Sequence, residues 1–176
     1  MMSIAAVQAV YPAVGDEGFR ALVEAFYRRV EADPVLRPIF PPDLSHGREA
    51  QYLFLRQYFG GPSEYSERFG HPQLRRRHLP FAITPEARDV WVTHMLAAID
   101  EVAIPEPHAS LMRDYFERFS HAMVTRGVDG AAAEELAWLV TPAPVARTAH
   151  ARILSTNTQG ATPSESNPDS EDPAHR

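Results

Sequence analysis

The sequence contains neither cysteine nor lysine, and both absences narrow the chemistry open to the protein. Without cysteine there are no disulfides, no thiolate ligands for zinc or iron–sulfur clusters, and no thiol nucleophile. Without lysine there is no Schiff base with a substrate carbonyl and no phosphate-loop lysine. All 17 basic residues are arginine, so a metal ion has to be bound by histidine, aspartate or glutamate.

Charge and hydropathy disfavour two classes of partner. The 23 acidic residues outnumber the 17 basic ones, and the resulting net charge of -6 is opposite to the basic surplus of a nucleic-acid-binding protein. No apolar run approaches the roughly 18 residues of a membrane span. The apolar stretch 1–10 has no basic flank and makes a poor signal peptide. We expect a cytoplasmic protein that binds neither nucleic acid nor a membrane.

The composition changes near residue 127. Trp138 is the one aromatic residue after position 126, and the stretch that follows it is rich in proline, serine, threonine and acidic residues. Such a stretch cannot bury enough apolar surface to offset its ordering entropy. The sequence therefore predicts one domain over residues 1–126 and an extension over 127–176, with a short helix near 130–140 followed by disorder.

Within the domain, apolar residues recur with the period of an amphipathic helix. The first helix is predicted to start at Asp16 as its N-cap and to end at Asp33-Pro34. The second is predicted from Ser45, acting as a cap, to Gly60-Gly61. The inward face of the first helix consists of Phe19, Leu22, Val23, Phe26, Tyr27 and Val30.

Two further helices follow a segment that is rich in proline and glycine. One begins with Thr84 as its N-cap and Pro85 in the first position, and the other runs from after Pro107 to about Thr125. The segment 62–84 allows at most a turn or two around 73–78. No stretch alternates as a strand does, so the predicted class is all-α. An irregular segment of this length inside a compact domain is usually functional or disordered, and its aromatic, Arg and His content favours a functional one.

The irregular segment contains the main candidate for a cofactor ligand. His78 follows Arg75-Arg76-Arg77 and lies two residues before Pro80. An imidazole for a metal beside guanidiniums for carboxylates suits haem, which has iron at its centre and propionates at its edge. The alternative is a structural histidine beside a solvated arginine run, and the residues alone leave both interpretations open.

Three neutral hydrogen-bond donors and one small residue indicate a pocket. Tyr27 lies on the apolar face of the first helix, Gln51 on the apolar stripe of the second and Trp91 on the third. Gly47 precedes Gln51 by one turn and leaves space on the same face. Each donor alone fits a core residue satisfied locally, whereas together they favour convergence on one pocket.

Several short motifs between residues 9 and 125 occur together in one known family. They are Phe26-Tyr27, Asp33-Pro34, Gly60-Gly61-Pro62, Tyr65-Ser66-Glu67-Arg68, Gly70-His71-Pro72, Arg77-His78, Pro80-Phe81 and Arg88-Asp89 with Trp91. In these motifs the chain resembles the group II truncated haemoglobins, which are bacterial globins with a two-over-two helical sandwich. The resemblance implies that fold and haem b, with its iron, as the cofactor.

The resemblance also assigns roles on the two sides of the haem. It implies that His78 is the proximal ligand of the iron. On the distal side it implies that Tyr27, Gln51 and Trp91 hydrogen-bond to the ligand of the iron.

Further haem contacts follow from the same resemblance. It implies that Phe40, Gly47, Phe54 and Trp91 contact the cofactor and that Arg77 contacts a propionate. The chain departs from the family at Gly15-Asp16, where a Gly-Gly motif is usual. It departs again at Ala50, where a basic residue often contacts a propionate, and Arg48 or Arg77 is expected to replace that contact.

The implied function is O2 binding to ferrous haem with slow release, with NO and CO as further ligands. One hydrogen bond to a partly negative ligand contributes about 1.5–3 kcal/mol, enough to slow release by about tenfold or more. One alternative is a haem enzyme for nitric oxide dioxygenation or peroxide reduction, served by a reductase. A second is a haem-free helical interaction protein that binds through its extension. The sequence leaves the oligomeric state open.

Overall fold

The fold consists of helices joined by loops. This computed structural model describes residues 3–126, and within that range there are α-helices, one 3-10 helix and no strand, which confirms the predicted all-α class. The predicted extension 127–176, with its helix near 130–140, lies outside the described residues. The α-helices are α1 Ile4–Gln8, α2 Val10–Ala32, α3 Ser45–Tyr58, α4 Glu64–Phe69, α5 Leu74–His78, α6 Pro85–Val102 and α7 His108–His121; the 3-10 helix is Arg37–Ile39.

The first predicted helix is present, and its uninterrupted part follows Gly15, next to the predicted start at Asp16. α2 begins at Val10 and bends at Gly15, whose φ of 70° and ψ of 173° interrupt the helical backbone. Asp16 is therefore not the N-cap, and its carboxylate instead accepts hydrogen bonds of 3.1–3.2 Å from Tyr11, Tyr52 and Arg56. The predicted inward face is confirmed, since its six residues are at most 3% exposed.

Local hydrogen bonds decide the other helix boundaries. Ser45 is the first residue of α3 and not its cap, and its N–H donates to the Asp43 carboxylate at 2.9 Å. Thr84 caps α6 as predicted and accepts from the Ala87 N–H at 3.2 Å. Within 62–84 the structure has α5 where a turn or two was predicted, and it also has α4, which was not predicted.

The four longer helices form the core around a cluster of aromatic rings. α2 packs against α3 and α6, and α6 packs against α7. The fully buried ring of Phe59 has its centroid 5.1–6.3 Å from those of Phe19, Tyr58, Tyr115 and Phe116. Stacked and edge-to-face ring pairs such as these add roughly 0.5–1.5 kcal/mol each beyond the burial of their area.

None of the helices within residues 3–126 is both long and apolar enough to cross a membrane.

A glycine allows the N-terminal segment to pack on the end of α3. Gly60 has a φ of +104°, and a Cβ at this position would lie 2.3 Å from the carbonyl oxygen of Gln8. In the same contact the Tyr11 N–H donates to the Phe59 carbonyl at 3.0 Å. Both the backbone conformation and the close approach therefore require glycine.

We expect Gly60→Ala to lower the free energy of unfolding more than Gly70→Ala does. Gly70 also has a positive φ, +73°, but its Cβ position is open, so alanine there incurs the backbone cost alone, about 1–3 kcal/mol. Gly60→Ala must also displace the Gln8 backbone, for a total loss of roughly 3 kcal/mol or more. Urea unfolding followed by circular dichroism measures both variants, and equal losses would contradict the close packing at Gly60.

Candidate functional site

An apolar cavity lies between the 3-10 helix, α5, α6 and α7. Three of the predicted cofactor contacts, Phe40, His78 and Trp91, lie in its wall. They come from three separate parts of the chain, so the fold brings them together. Most of the other lining is apolar and includes Leu36, Ile39, Phe81, Ile83, Phe119 and Met123.

The imidazole of His78 is held at the end of α5 by its own backbone. Its Nδ1 donates to the Leu74 carbonyl oxygen at 2.6 Å, and because a carbonyl only accepts, the proton is on Nδ1. In the neutral ring Nε2 therefore carries no proton, and its lone pair is available to bind a metal ion. Burial lowers the pKa of His78 below its ordinary value, although the Leu74 bond acts in the opposite direction. A neutral imidazole fixed through its second nitrogen is the form that binds metals.

Tyr27 is a buried residue of α2, but it is not among the residues that line the cavity. Its ring meets the rings of Phe26 and Phe40 edge-on, with centroids 5.5 and 6.0 Å apart. A Cβ on Gly47 would lie 2.9 Å from the Tyr27 hydroxyl oxygen, so the glycine provides the space that the hydroxyl occupies. The hydroxyl forms no hydrogen bond within residues 3–126. Burial raises the pKa of Tyr27 far above its ordinary value, which keeps the hydroxyl a donor.

The other two predicted distal donors are also free of internal hydrogen bonds. Trp91 is half-buried in the cavity wall, and its ring lies edge-on to Phe26 at 5.2 Å. Gln51 is half-buried on α3, one turn after Gly47, and is not part of the cavity wall. Neither the indole N–H nor the Gln51 amide has a hydrogen-bond partner in the described part of the chain.

Phe54 lies in the core beside the cavity. It is 8% exposed and packs against the rings of Tyr58 and Tyr65, with centroids 5.9 and 5.6 Å away. It is not among the residues that line the cavity. The predicted contact between Phe54 and the cofactor therefore stays a prediction.

The three arginines before His78 have different partners and form no common cluster. Arg75 donates to the Ala122 carbonyl at 2.6 Å and Arg76 to the Gln73 amide oxygen at 3.0 Å. Arg77 donates through Nε to the Pro72 carbonyl and through Nη2 to the Phe69 carbonyl, both at 2.8 Å. Arg77 thus retains one guanidinium nitrogen, Nη1, for a further partner.

Sequence reasoning identified Trp91 on α6 but missed Ala87 and Arg88 on the same helix and the part of the wall formed by α7. Arg88 lines the cavity and donates through Nε to the Ser120 hydroxyl at 2.8 Å. The sequence signal that could have identified Ala87 as a wall residue is its four-residue spacing from Trp91, which places both side chains on one face of α6. Beyond α7, the Thr125 N–H donates to the Ile83 carbonyl at 2.9 Å, which holds the loop after His78 in place.

The residues of this cavity fit a haem. The wall is apolar, as the porphyrin requires, and contains one neutral imidazole with a free nitrogen. Phe81, three residues after His78, lines this cavity and is 40% exposed, so part of the apolar wall is accessible from outside. Elsewhere in residues 3–126, no three His, Asp or Glu side chains are grouped so that they could hold a metal ion.

Comparison with known proteins agrees with this geometry. The family model described as bacterial-like globin matches residues 9–125. A group 2 truncated hemoglobin of Bacillus subtilis is 50% identical over 96 residues, which cover 54% of this chain and 73% of that protein. The hemoglobin of the thermophilic phototrophic bacterium Chloroflexus aurantiacus is 55% identical, with a TM-score of 0.65, over 66% of this chain and 98% of that one.

A second solved structure is described as a truncated oxygen-avid haemoglobin from Bacillus subtilis. It is 44% identical, with a TM-score of 0.63, and covers 65% of this chain and 97% of that chain. The chain belongs to the bacterial-like globins and, among them, to the group II truncated haemoglobins with their two-over-two fold. Membership of this family implies a haem cofactor with iron and O2 as a ligand, which argues against the haem-free alternative.

We expect His78 and His94 to carry their neutral-state protons on opposite ring nitrogens. In His78 the Leu74 carbonyl keeps the proton on Nδ1, whereas His94 donates through Nε2 to the Asp33 carboxylate at 2.8 Å. Nitrogen chemical shifts of the two imidazoles in the haem-free protein at pH 8 measure this difference. A proton on Nε2 of His78 would contradict the geometry described above.

Proposed function

We propose that this chain binds O2 at a haem b held by His78 and releases it slowly because distal donors hydrogen-bond to the ligand. The observation that carries this proposal is the Tyr27 hydroxyl, a donor on a buried residue that has no acceptor within residues 3–126 and that occupies the space left by Gly47. A partly negative ligand that accepts a hydrogen bond from this donor would gain about 1.5–3 kcal/mol.

On the proximal side, the chain would hold the cofactor through one nitrogen and one guanidinium. When bound, haem supplies an iron with an open coordination position for a diatomic ligand. His78 presents Nε2 to the cavity, because Nδ1 is bonded to Leu74. Arg77 keeps Nη1 for a propionate, because its other two nitrogens are bonded to backbone carbonyls. Such charge-assisted hydrogen bonds are about twice as strong as neutral ones.

On the distal side, the chain would bind the ligand through neutral donors. Tyr27, Gln51 and Trp91 each have a donor without a partner in the described part of the chain. Neutral donors favour a partly negative oxygen without placing a full charge in an apolar cavity, which would be costly. Each hydrogen bond to such an atom contributes about 1.5–3 kcal/mol, so a single bond slows release by about tenfold or more.

A relative supports slow release. The Bacillus subtilis haemoglobin described as oxygen-avid shares 44% of its residues with this chain over the aligned region. A tightly held ligand is unsuited to O2 delivery and better suited to chemistry on O2. NO and CO as ligands, a reductase as electron donor, and a cytoplasmic location stay predictions from the sequence.

We expect Tyr27→Phe to raise the O2 dissociation rate about tenfold or more, because it removes the hydroxyl and leaves the ring. Stopped-flow displacement of O2 by CO measures the rate. Tyr58→Phe is the matched control, since Tyr58 is a half-buried tyrosine on α3 that packs against Phe54, Phe59 and Tyr115 and is not a proposed distal donor. An unchanged rate in Tyr27→Phe would refute the hydrogen-bond account of slow release.

A further inference from the structure

Arg48, on α3, lies over the ring of Tyr27. Its guanidinium carbon is 5.3 Å from the centroid of that ring. Its Nη1 donates to the Glu24 carboxylate at 2.8 Å and its Nη2 to the Glu31 carboxylate at 3.1 Å. Glu24 and Glu31 lie one turn before and one turn after Tyr27 on α2, so Arg48 spans the two turns that flank the tyrosine.

The two ion pairs of Arg48 differ from the propionate contact that the sequence analysis expected of Arg48 or Arg77. Both Nη atoms are bonded to glutamates, and the buried Nε has no hydrogen-bond partner among residues 3–126. The Arg48 side chain is 30% exposed, and those of its glutamates are 47% and 51% exposed. Because pairs exposed to this degree contribute little to stability, the main consequence of the bridge is where it holds the guanidinium.

Within residues 3–126, no hydrogen bond fixes the orientation of Tyr27. The ring is held by two aromatic edges, from Phe26 and Phe40, and on its face by Arg48. The aromatic contacts place the ring plane, whereas a cation over the face resists its tilting. The Arg48 charge lowers the pKa of Tyr27, but the larger effect of burial raises it, so the hydroxyl stays protonated.

We propose that Arg48 is a positioning residue: anchored by Glu24 and Glu31, its guanidinium holds the Tyr27 ring so that the hydroxyl points to the ligand beside Gly47. The inference rests on the proposed role of Tyr27 as a distal donor. It assigns a function to a salt bridge between α2 and α3 that touches neither the cavity wall nor, directly, the ligand.

The test uses Arg48→Met in the full-length haem-loaded protein, because methionine keeps an apolar stem and removes the guanidinium. We expect the O2 dissociation rate to rise about fivefold. In the Tyr27→Phe background the same substitution should leave the rate unchanged, because no hydroxyl remains to be positioned. The glutamates left behind are about half exposed, so the variant buries no unpaired charge.

Arg20→Met is a matched control from the same two helices. Arg20 lies 4.1 Å over the ring of Tyr52 and approaches Glu49 at 3.8 Å, and Tyr52 is not a proposed distal donor. It should leave the O2 dissociation rate unchanged. The Glu24→Gln and Glu31→Gln double variant, which keeps Arg48 but releases it, should reproduce part of the rise.

A spectroscopic signal separates positioning from a general structural effect. In the CO complex, the C–O stretching band of Arg48→Met should move toward that of Tyr27→Phe, and the band of Arg20→Met should not move. An equal rise in rate in both backgrounds, or a band that does not move, would overturn the positioning role. If Tyr27→Phe raises the rate and Arg48→Met does not, this inference fails alone; if Tyr27→Phe has no effect, the proposed function fails first.

Discussion

The hydrogen bond from His78 to the Leu74 carbonyl is the constraint on which the site depends. It fixes the proton on one ring nitrogen and leaves the other for the cavity. α5 has only 5 residues, too few for a helix to hold its own orientation. Bonds to distant backbone carbonyls replace the missing turns, from Arg75 to Ala122 and from Arg77 to Phe69. Each adds roughly 1 kcal/mol and ties the imidazole to α4 and to the end of α7.

The polar groups beside His78 and the proposed distal donors differ in their internal hydrogen bonds. His78 and each of the arginines 75–77 donate to a protein oxygen, and within residues 3–126 Nε2 of His78 and Nη1 of Arg77 are left for a ligand. The proposed distal donors Tyr27, Gln51 and Trp91 have no such bonds within residues 3–126, and of the three only Trp91 lines the cavity. Packing against rings, a glycine and a salt-bridged arginine holds Tyr27 instead. In the function proposed above, this lack of internal partners leaves the donors available to a small, partly negative ligand.

Sequence periodicity was sufficient for the long helices and insufficient for the short ones. The inward face of α2 follows a regular pattern and was predicted residue by residue, as was the Thr84 cap of α6. Asp16 was wrongly predicted as a cap because its partners, Tyr52 and Arg56, lie on another helix, and no local pattern reports such a contact. α1 and α4 escaped prediction because they have 5 and 6 residues and are held by tertiary contacts.

The site was predictable to a similar degree and for similar reasons. His78, Phe40 and Trp91 were identified through a family resemblance, and the fold places them in one cavity wall. The contribution of α7 through Phe119, Ser120 and Met123 was missed, because a residue that packs in the core and one that lines a cavity have the same helical spacing. The salt bridge that holds Arg48 over Tyr27 joins α2 to α3, and only the folded chain shows it.

The central claim is that His78 holds a haem iron in this cavity. The most direct measurement is the absorption spectrum of the purified full-length protein with haem added, before and after reduction and then under O2. We predict a Soret band that shifts at each step, that is lost or strongly altered in His78→Ala, and that is retained in the control His71→Ala. A spectrum of His78→Ala identical to that of the unmodified protein would contradict the account.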